Sequence, residues 1–413
     1  MADILLHTLL FPPDGNSNAY IFGDIALELQ KHGHNVTVIT TTPHYSILQE
    51  NLDKQPFIDG EKNWYKKSSY HGMECYHIIV PDEKGGIRKR LITYINFHYR
   101  ALRLSKNKNI KADVVITQSP PLSIGIVNAL IGKTKKATSV YVVQDLFPDG
   151  PITQGKIKNK FIIKILRLVE KSVYKHNDVI IAISEGIKGH LEKRVPLQKT
   201  LRTIPNFVDT DIYHPLPKDN PMAKKFDVSG KFVISYVGNI GNAHDLSPIL
   251  YCANKLKDLS IEFVIAGSGI KKDYYERKAR EENLDNVKFI GYQMREDTPM
   301  INAFSDICLV MLAPHVKGYS FPSKIYTLMG MAKPIIVMCS AECNAADFIT
   351  ETKSGWAVES GNCEAFTSLV EDLYNNPELL NQFGNNSLKV IEAGYTKKMV
   401  GRQYDDLIRD ICT

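Results

Sequence analysis

The residues with the clearest chemical potential lie between Lys317 and Pro334, in the stretch KGYSFPSKIYTLMGMAKP. Pro322 suits the first turn of a helix, where its missing N–H is not needed, and Ser323 places a hydroxyl beside unpaired amide groups. Lys324 follows on the same turn. A helix N-terminus with free amides and a lysine is suited to binding a phosphate or diphosphate. The alternative is an ordinary surface loop that leads into a core helix, and this stretch alone does not decide between the two.

The composition is typical of a folded protein with two or three domains. The chain has 413 residues, of which 44% are hydrophobic and 23% charged. No apolar run is long enough to cross a bilayer, and the N-terminus lacks the basic region of a signal peptide, so we expect a first strand there. The seven cysteines are scattered and odd in number, which favours a reduced, cytoplasmic chain. Cys339 and Cys343 lack a second ligand pair at zinc spacing, so we expect no metal site.

Charge is distributed unequally along the chain. Residues 1–200 contain 28 Lys and Arg against 18 Asp and Glu, whereas the remainder contains 23 against 27. The basic first part predicts a domain that faces an anionic partner, and both nucleic acid and a membrane surface fit this charge. A merely solvated basic surface is the alternative.

Short apolar runs alternate with helical patterns through both parts of the chain, which predicts parallel sheets with helices on both faces. The predicted strands are Ile4–Leu10, Val36–Thr40, Cys75–Val80, Val114–Thr117, Ser139–Val143 and Val179–Ile183, and then Phe232–Val237, Glu262–Ala266, Val287–Ile290, Ile307–Met311 and Pro334–Met338. A proline-rich loop at Pro205–Ser229 separates the two series. We therefore predict domains at residues 1–210 and 211–393, with a helix in 394–413 that returns to the first domain.

Three turns join a predicted strand to a helix at the edge where open α/β sheets bind ligands. They are Phe11–Asn18, which contains Gly15, Gly238–Asp245, which contains Gly241, and Gly267–Lys272. A single glycine turn is weak evidence. Three of them in two matched domains, together with the Lys317–Pro334 loop, predict a phosphorylated ligand in a cleft between the domains.

Several motifs, in order along nearly the whole chain, resemble one family. They are FPPDGNSNAYIFGDIALELQKHGHNVTVIT, IAISEGIKGHL, IPNFVDTDIYHP, FVIAGSGIKKD and VKFIGYQM. These are similar to family 4 glycosyltransferases of the α/β GT-B fold, in which two Rossmann-like domains face each other across a cleft. VVQDLFPD, YVGNIG and PSKIYTLMGMAKP further resemble bacterial aminosugar transferases of O-antigen and capsule assembly, including N-acetyl-L-fucosamine transferases.

The resemblance implies retaining transfer of a sugar from a UDP-sugar, a substrate rather than a cofactor, without a required metal. The acceptor is expected to be a saccharide on polyprenyl diphosphate, which removes nucleic acid from the expected partners. Amide dipoles, among them the four amides of Gly238–Gly241, and fixed cations would stabilise the departing diphosphate. The donor would lie mostly in the second domain. The donor-binding residues expected on these grounds are Gly15, Asn239, Gly241, His244, Gly267, Tyr292, Tyr319, Ser320, Pro322, Ser323 and Thr327, and the expected catalytic residues are Gln144, Asp145 and Lys324.

The sequence departs from the family at several of these positions. Tyr319 and Thr327 stand where many relatives have two glutamates, and Asn239 and His244 stand where many have arginine and lysine. Gln144, with Asp145 beside it, replaces a histidine. We therefore expect Lys324 to supply the cation at the diphosphate, Tyr319 to contact a sugar, and Asp145 to orient a sugar hydroxyl or polarise the acceptor. A structural role is the alternative for each of these side chains.

Two basic amphipathic stretches lie in the first domain, Lys84–Leu104 and Lys156–Lys175. Such a face can lie on an anionic bilayer, with its aromatic residues in the headgroup layer. This predicts a protein bound peripherally to the inner face of the cell membrane. Ordinary domain helices with solvated lysines are the alternative.

Two other functions fit the same fold. A non-hydrolysing UDP-sugar 2-epimerase would isomerise a donor without an acceptor. A non-catalytic subunit of a glycosyltransferase complex would explain the missing glutamates, arginine and lysine.

Overall fold

The computed structural model describes residues 1–81, 87–316, 318–319 and 321–412, and only the backbone of residues 87–89. The chain divides into two compact units, one formed by Met1–Asn206 with Lys397–Thr413 and the other by Phe207–Thr396. Each unit is an α/β domain built on its own sheet, which confirms the predicted fold class.

The sheet of the first unit has nine strands within the described residues, in the order β3-β4-β5-β2-β1-β6-β7-β8-β9. The strands are β1 (Asp3–His7), β2 (Asn35–Thr41), β3 (Ile58–Asp59), β4 (Tyr65–Tyr70), β5 (Met73–Ile78), β6 (Val114–Gln118), β7 (Thr138–Val143), β8 (Val179–Ala182) and β9 (Thr200–Thr203). The prediction of a wholly parallel sheet was wrong at one edge, because β4 pairs antiparallel with both β3 and β5.

Helices cover this sheet and connect its strands. They are α1 (Ser17–Lys31), α2 (Gln49–Lys54), α3 (Ile87–Ser105), α4 (Ile124–Lys135), α5 (Asp149–Thr153), α6 (Lys160–His176) and α7 (Glu185–Leu191), and the final helix of the chain, α16 (Lys397–Cys412), belongs to the same unit. Asn16 caps α1 by accepting a hydrogen bond from the amide of Asn18, as expected for an Asn N-cap. α16 packs against α1 so closely that a Cβ on Gly401 would lie 2.5 Å from Cβ of Glu28.

The sheet of the second unit is parallel throughout its described strands, in the order β12-β11-β10-β13-β14-β15. The strands are β10 (Phe232–Val237), β11 (Ile261–Ala266), β12 (Val287–Gly291), β13 (Ile307–Met311), β14 (Ile335–Cys339) and β15 (Gly355–Glu359). Neighbouring residues of a strand enter different hydrophobic clusters, with Val233 in one and Ile234 in the other. This alternation shows that both faces of the sheet are covered, as in doubly wound folds.

The helices of the second unit are α8 (Pro221–Lys225), α9 (Ser247–Lys255), α10 (Lys272–Glu281), α11 (Thr298–Phe304), α12 (Lys324–Gly330), α13 (Asn344–Glu351), α14 (Cys363–Tyr374) and α15 (Pro377–Gly394). The loop predicted at Pro205–Ser229 therefore contains a short helix, α8, which Asn220 caps by accepting from the amides of Met222 and Ala223.

The strand order of each sheet reverses direction at one point. In the first sheet β1 lies between β2 and β6, and in the second β10 lies between β11 and β13. A crevice opens at the carboxyl ends of the strands where the connections diverge, and open α/β sheets bind ligands there. In the second unit these ends lead into the loop after β10 and the loop before α12. The two loops touch, since the amide of Ala313 donates to the carbonyl of Ala243 at 2.9 Å.

Candidate functional site

Lys324 is the first residue of α12, but the local geometry differs from the predicted helix start. Ser323 is the N-cap and makes no side-chain capping bond, and Pro322 precedes the cap instead of occupying the first turn. The helix is only seven residues long. A short helix offers little accumulated dipole, so the lysine itself is the main source of positive charge at this point.

The ammonium group of Lys324 lies at the carboxyl end of β10, where the strand order of the second sheet reverses (the switch point of that sheet). Its Nζ is 4.5 Å from the ring centroid of Tyr236 and 2.6 Å from the position that a Cβ on Gly238 would occupy. Within the described part of the chain, it forms no ion pair and donates no hydrogen bond. Desolvation lowers its pKa to about 8, although the side chain still reaches solvent. The group remains mostly protonated at neutral pH, and it is therefore a cation without a counterion.

Packed aromatic rings hold the start of α12 in place. Phe321 stacks on Tyr326 with ring centroids 5.2 Å apart, and Tyr326 stacks on Tyr395 at 5.0 Å. Phe348 contacts all three rings edge-on. Because Tyr326 is fully buried, these contacts fix the backbone from which Lys324 projects.

Glycines bring the loops after β10 and β11 into direct backbone contact. Gly267 has a φ of +145°, and a Cβ there would lie 1.8 Å from the carbonyl oxygen of Gly238. Gly269 has a φ of +152°, and a Cβ there would lie 2.4 Å from the carbonyl oxygen of Ile240. Both positions require glycine for its conformation and for its lack of a side chain. Gly267 therefore shapes the loop that was predicted to bind the donor.

Only two of the four amides of Gly238–Gly241 are available to bind a phosphate. The amide of Gly238 donates to Ala266 at 2.9 Å, and that of Ile240 donates to Ser268 at 2.8 Å. The amide of Gly267 is likewise used, on Gly291 at 2.7 Å. The amides of Asn239 and Gly241 have no acceptor within the described residues. Two donors remain where the sequence suggested four.

His244 does not replace the family's lysine as a cation. Burial, followed by the charges of Lys324 and Lys271, lowers the pKa of His244 to about 4, so its ring is neutral at physiological pH. Its Nδ1 is buried without a hydrogen-bond partner in the described structure. Asn239 is exposed, and its Nδ2 lies 3.1 Å from the Cβ position of Gly241. Both residues lie in the loop after β10, beside Lys324.

The remaining residues predicted in the second unit surround the same edge of the sheet. Tyr292 follows β12 and is 54% exposed, and Tyr319 is half-buried in the loop before α12. Thr327 is half-buried on α12, and its hydroxyl has no partner within the described chain. Ser320 lies outside the described residues.

A cavity of about 520 Å³ opens beside these loops. Its lining comes from the loops after β10, β11 and β13 and from the first turns of α9 and α10, and it comprises Asn242, Asp245, Ser247, Lys271, Tyr274, Tyr275, Ala313, Pro314 and His315. The sequence-based prediction missed Lys271, Tyr274 and His315. Lys271 could have been found from its place in the IAGSGIKKD motif, directly after a glycine turn. Tyr274 lies on α10 and His315 in the loop after β13, and neither belongs to a distinctive pattern.

In the first unit, the side-chain amide of Gln144 is hydrogen-bonded to that of Asn206. Its Nε2 donates to Oδ1 of Asn206 at 3.3 Å, and its Oε1 accepts from Nδ2 of Asn206 at 2.8 Å. The side chain is buried. Gln144 was predicted to be catalytic, but both polar atoms of its amide are used in this reciprocal pair.

Asp145, the next residue, is exposed and has no hydrogen-bond or ion-pair partner in the described residues. Many protein atoms nevertheless surround its carboxyl group, and desolvation raises its pKa to about 6. It is therefore an unpaired carboxylate at the carboxyl end of β7 whose proton exchanges close to neutral pH.

Gly15, also in the first unit, packs against its own neighbours. Its amide donates to Ser46 at 2.8 Å, and a Cβ there would lie 2.8 Å from Cδ1 of Leu48. The amide of Gly15 is therefore not free to donate to the donor, as the predicted contact would require.

Two features are absent from the described residues. No group of three or more His, Cys, Asp or Glu side chains there is arranged to hold a metal ion. No described helix is both long and apolar enough to span a membrane.

Comparison with known proteins places both halves of the chain in glycosyltransferase families. Residues 21–212 match the model of Glycosyltransferase Family 4, and residues 218–390 match that of Glycosyl transferases group 1. The putative colanic acid biosynthesis glycosyl transferase WcaI of Escherichia coli is 23% identical, over 98% of this chain and 99% of its own length. The probable glycosyltransferase WbjE of Pseudomonas aeruginosa is 22% identical, over 73% of this chain and 75% of its own.

The fold agrees with these matches. The structure of Anabaena Alr3699/HepE in complex with UDP superposes with a TM-score of 0.74 at 12% identity, covering 99% of this chain and 100% of that one. With both halves of the chain matched in order, and with two α/β units of the expected kind, the chain belongs to the family 4 glycosyltransferases of the GT-B fold.

Proposed function

We propose that the chain transfers a sugar, with retention of anomeric configuration, from a UDP-sugar to a lipid-linked saccharide in bacterial surface-polysaccharide assembly. The observation that carries this proposal is Lys324, a cation without a counterion at the switch point of the second sheet. A diphosphate is the ligand that such a group lacks. The UDP bound to HepE supports the choice of nucleotide, and the colanic acid named for WcaI supports the pathway class. The resemblance at PSKIYTLMGMAKP favours an N-acetylated deoxysugar such as N-acetyl-L-fucosamine.

The chemistry needs a stabilised leaving group. The bond between the anomeric carbon and the β-phosphate oxygen breaks, and UDP departs with the electron pair. The acceptor hydroxyl then bonds to the anomeric carbon on the same face and gives its proton to the departing phosphate. Lys324 neutralises charge that develops on that phosphate, and the free amides of Asn239 and Gly241 donate to it, so that no metal is required.

In this proposal Asp145 contacts the acceptor. Its carboxylate is unpaired and exposed, and it can accept a hydrogen bond from a sugar hydroxyl. Although its pKa is raised to about 6, Asp145 is mainly ionised at pH 7. Its carboxylate therefore accepts a hydrogen bond from the sugar hydroxyl and orients it.

A panel of donors tests the function. UDP-N-acetylglucosamine, UDP-glucose and UDP-N-acetyl-L-fucosamine are each incubated with the protein, and thermal shift, UDP release and the recovered donor are measured. We expect one donor to raise the melting temperature and to release UDP slowly in the absence of acceptor, since a ligand bound only by the folded state stabilises it. Recovery of a 2-epimerised donor would identify an epimerase. If no donor changes the melting temperature, the non-catalytic subunit is the function that remains.

We also propose that helix α6 contacts an anionic membrane, where a lipid-linked acceptor resides. Phe161, Ile165 and Leu168 lie along one face of the helix, and Phe161 and Leu168 are 71% and 60% exposed. Interspersed with them are exposed lysines that form no ion pair within the described chain, namely Lys160, Lys164, Lys171 and Lys175. An exposed apolar row flanked by unpaired lysines fits the headgroup layer of anionic lipid.

Helix α3 supports the same contact less strongly. Ile92, Ile95 and Tyr99 are exposed, but Arg100 and Arg103 turn back towards the ring of Trp64, with guanidinium carbons 5.7 and 5.8 Å from its centroid. The start of the predicted basic stretch, residues 84–86, lies outside the described residues, as do the side chains of residues 87–89.

Vesicle sedimentation tests the membrane contact. We expect binding to phosphatidylglycerol vesicles at low salt, none to pure phosphatidylcholine, and release by salt. The double variant Phe161→Ser/Leu168→Ser should lose binding, and Lys164→Gln/Lys171→Gln should weaken it about 10-fold or more, at about 1 kcal/mol for each lysine. Leu197→Ser is the control, because Leu197 is 96% exposed in the same unit but lies outside both helices. Failure to bind anionic vesicles at low salt would exclude the contact.

A further inference from the structure

A cluster of four charged side chains lies behind the loop that bears Asp145. Both terminal nitrogens (Nη1 and Nη2) of Arg167 donate to the carboxylate of Asp149, at 2.9 and 2.7 Å, and those of Arg194 donate to it at 2.6 and 3.2 Å. Glu170 accepts from each arginine at 2.9 Å and from the hydroxyl of Tyr174 at 3.3 Å. We call Asp149, Arg167, Glu170 and Arg194 the arginine clamp.

The clamp balances its own charge and holds Asp149 ionised. Two carboxylates face two guanidinium groups, and the side chains of Asp149 and Glu170 are 9% and 5% exposed. Burial by itself would raise the pKa of Asp149, but hydrogen bonds and charge from Arg167 and Arg194 outweigh it and lower the pKa to about 2. Bidentate pairs of this kind fix direction as well as distance.

The clamp ties together parts of the first unit that are distant in sequence. Asp149 begins α5, Arg167 and Glu170 lie on α6, and Arg194 follows α7. Asp149 is therefore anchored to α6 and to the segment after α7, and it cannot shift without breaking four hydrogen bonds.

The loop between β7 and α5 is held at both ends. At its start, the amide of Gln144 donates to Oγ of Ser119 at 3.0 Å, and its side chain pairs with Asn206. At its end, Asp149 is held by the clamp. Asp145 lies between these anchors and has no side-chain partner in the described structure. Its direction is therefore set by the backbone of the loop alone.

We propose that Asp149 is a positioning residue, which acts through the arginine clamp to aim Asp145 at the acceptor. This inference rests on the proposed role of Asp145. Asp149 contacts no substrate in this proposal, but it limits how far the carboxylate of Asp145 can move. A displacement of about 1 Å in a reacting group can slow an enzyme about 100-fold.

The test compares steady-state constants for UDP release from the best donor of the panel, in which water takes the place of the acceptor hydroxyl that Asp145 orients. We expect Asp149→Asn to lower kcat by about 10- to 100-fold with little change in KM for the UDP-sugar, because Lys324 lies in the other unit. An unchanged kcat in folded Asp149→Asn would overturn the proposal. If that variant does not fold, Arg167→Gln replaces it: Arg167 is 38% exposed, and its loss removes two of the four hydrogen bonds to Asp149, so kcat should fall by a smaller factor. An unchanged kcat in Arg167→Gln would equally overturn the proposal.

A matched control removes a comparable carboxylate elsewhere in the same unit. Asp405 binds His34 at 2.7 Å and Arg409 at 2.9 Å, far along the chain from the loop. Asp405→Asn should lower the melting temperature as Asp149→Asn does, yet leave kcat unchanged. Equal losses of kcat in both variants would show that Asp149 acts only through stability.

A double-mutant cycle shows whether Asp149 acts through Asp145. We expect Asp149→Asn to have no further effect on kcat in an Asp145→Ala background, because the aimed group is already gone. The same fold-loss in both backgrounds would overturn the proposal, as would full activity of Asp145→Ala.

Amide hydrogen exchange gives a reading that needs no turnover. Peptides covering residues 144–149 should exchange faster in Asp149→Asn than in wild type, and not in Asp405→Asn. Unchanged protection would refute the clamp even in an active enzyme. Faster exchange in a protein that releases no UDP from any donor would instead refute the proposed function and leave the clamp standing.

Discussion

Replacing Lys324 by methionine should stabilise the fold and weaken nucleotide binding at the same time. Methionine keeps most of the volume over the ring of Tyr236 but removes the charge. The charge is unfavourable in the free protein, because the pKa of Lys324 is lowered from 10.5 to about 8 by desolvation. The folded state therefore disfavours protonation relative to the unfolded chain.

The size of the effect follows from that shift. A shift of one pKa unit corresponds to about 1.4 kcal/mol, so the protonated lysine destabilises the fold by up to about 3 kcal/mol at pH 7. Since solvent still reaches the side chain, we expect about 2 kcal/mol. In a unit of this size that raises the melting temperature of Lys324→Met by about 4–8 °C. The unfavourable effect is complete below pH 8 and declines as the pH rises from 8 towards 10.5.

Thermal denaturation with and without UDP is the assay. The wild type should gain stability from UDP, and Lys324→Met should gain much less, because a hydrogen bond to a charged group contributes about 1.5–3 kcal/mol, or about 10- to 150-fold in affinity. Lys231→Met is the control: Lys231 pairs with Glu262 at 2.8 Å, and this bond raises its pKa, so its loss should lower the melting temperature. A Lys324→Met variant that melts below wild type and keeps the full UDP shift would refute the reasoning.

Three further predictions concern the same unit. UDP affinity should fall as the pH rises above about 8, because free Lys324 loses its proton there; an affinity that is flat from pH 7 to pH 9 by calorimetry would contradict this. EDTA should leave UDP release unchanged, whereas a loss that Mg²⁺ or Mn²⁺ restores would show that a metal is required. Gly267→Ala should lower stability by about 2 kcal/mol or more, because the new Cβ would meet the carbonyl of Gly238. Gly33→Ala, at a φ of +87° with no atom within 4 Å of the new Cβ, should lower it by only about 1 kcal/mol, and equal losses would argue against the loop contact.

The core strands could be predicted from the sequence because their signal is local. Strands Phe232–Val237 and Ile307–Met311 agree with the prediction at both ends, since each is a continuous apolar run of the kind that a doubly covered parallel strand requires. Strand β4, which lies one strand in from the edge of the first sheet, was missed, because its sequence YKKSSY is polar. Polar strands at a sheet edge resemble loops when only hydrophobicity is considered.

The candidate site was predicted in place but not in detail. Lys324 does lie at the carboxyl edge of the second sheet, where the spacing of glycines and the loop indicated it. That His244 is neutral could not be predicted, since its pKa depends on burial and on two lysines. The pair of Gln144 with Asn206 joins residues 62 positions apart, and a local pattern contains no trace of such a contact.

The packing of α16 on α1 sets the order in which the molecule can be completed during synthesis. The second unit is an insertion between the two segments of the first, so a ribosome delivers all of Phe207–Thr396 before the last helix emerges. A nascent chain that has reached residue 396 presents α1 uncovered, and His34 has not yet met Asp405. Most of the first unit is thus synthesised before the second unit, but the first unit is completed only when α16 is added. Until α16 packs on α1, the surface of α1 is open to chaperones.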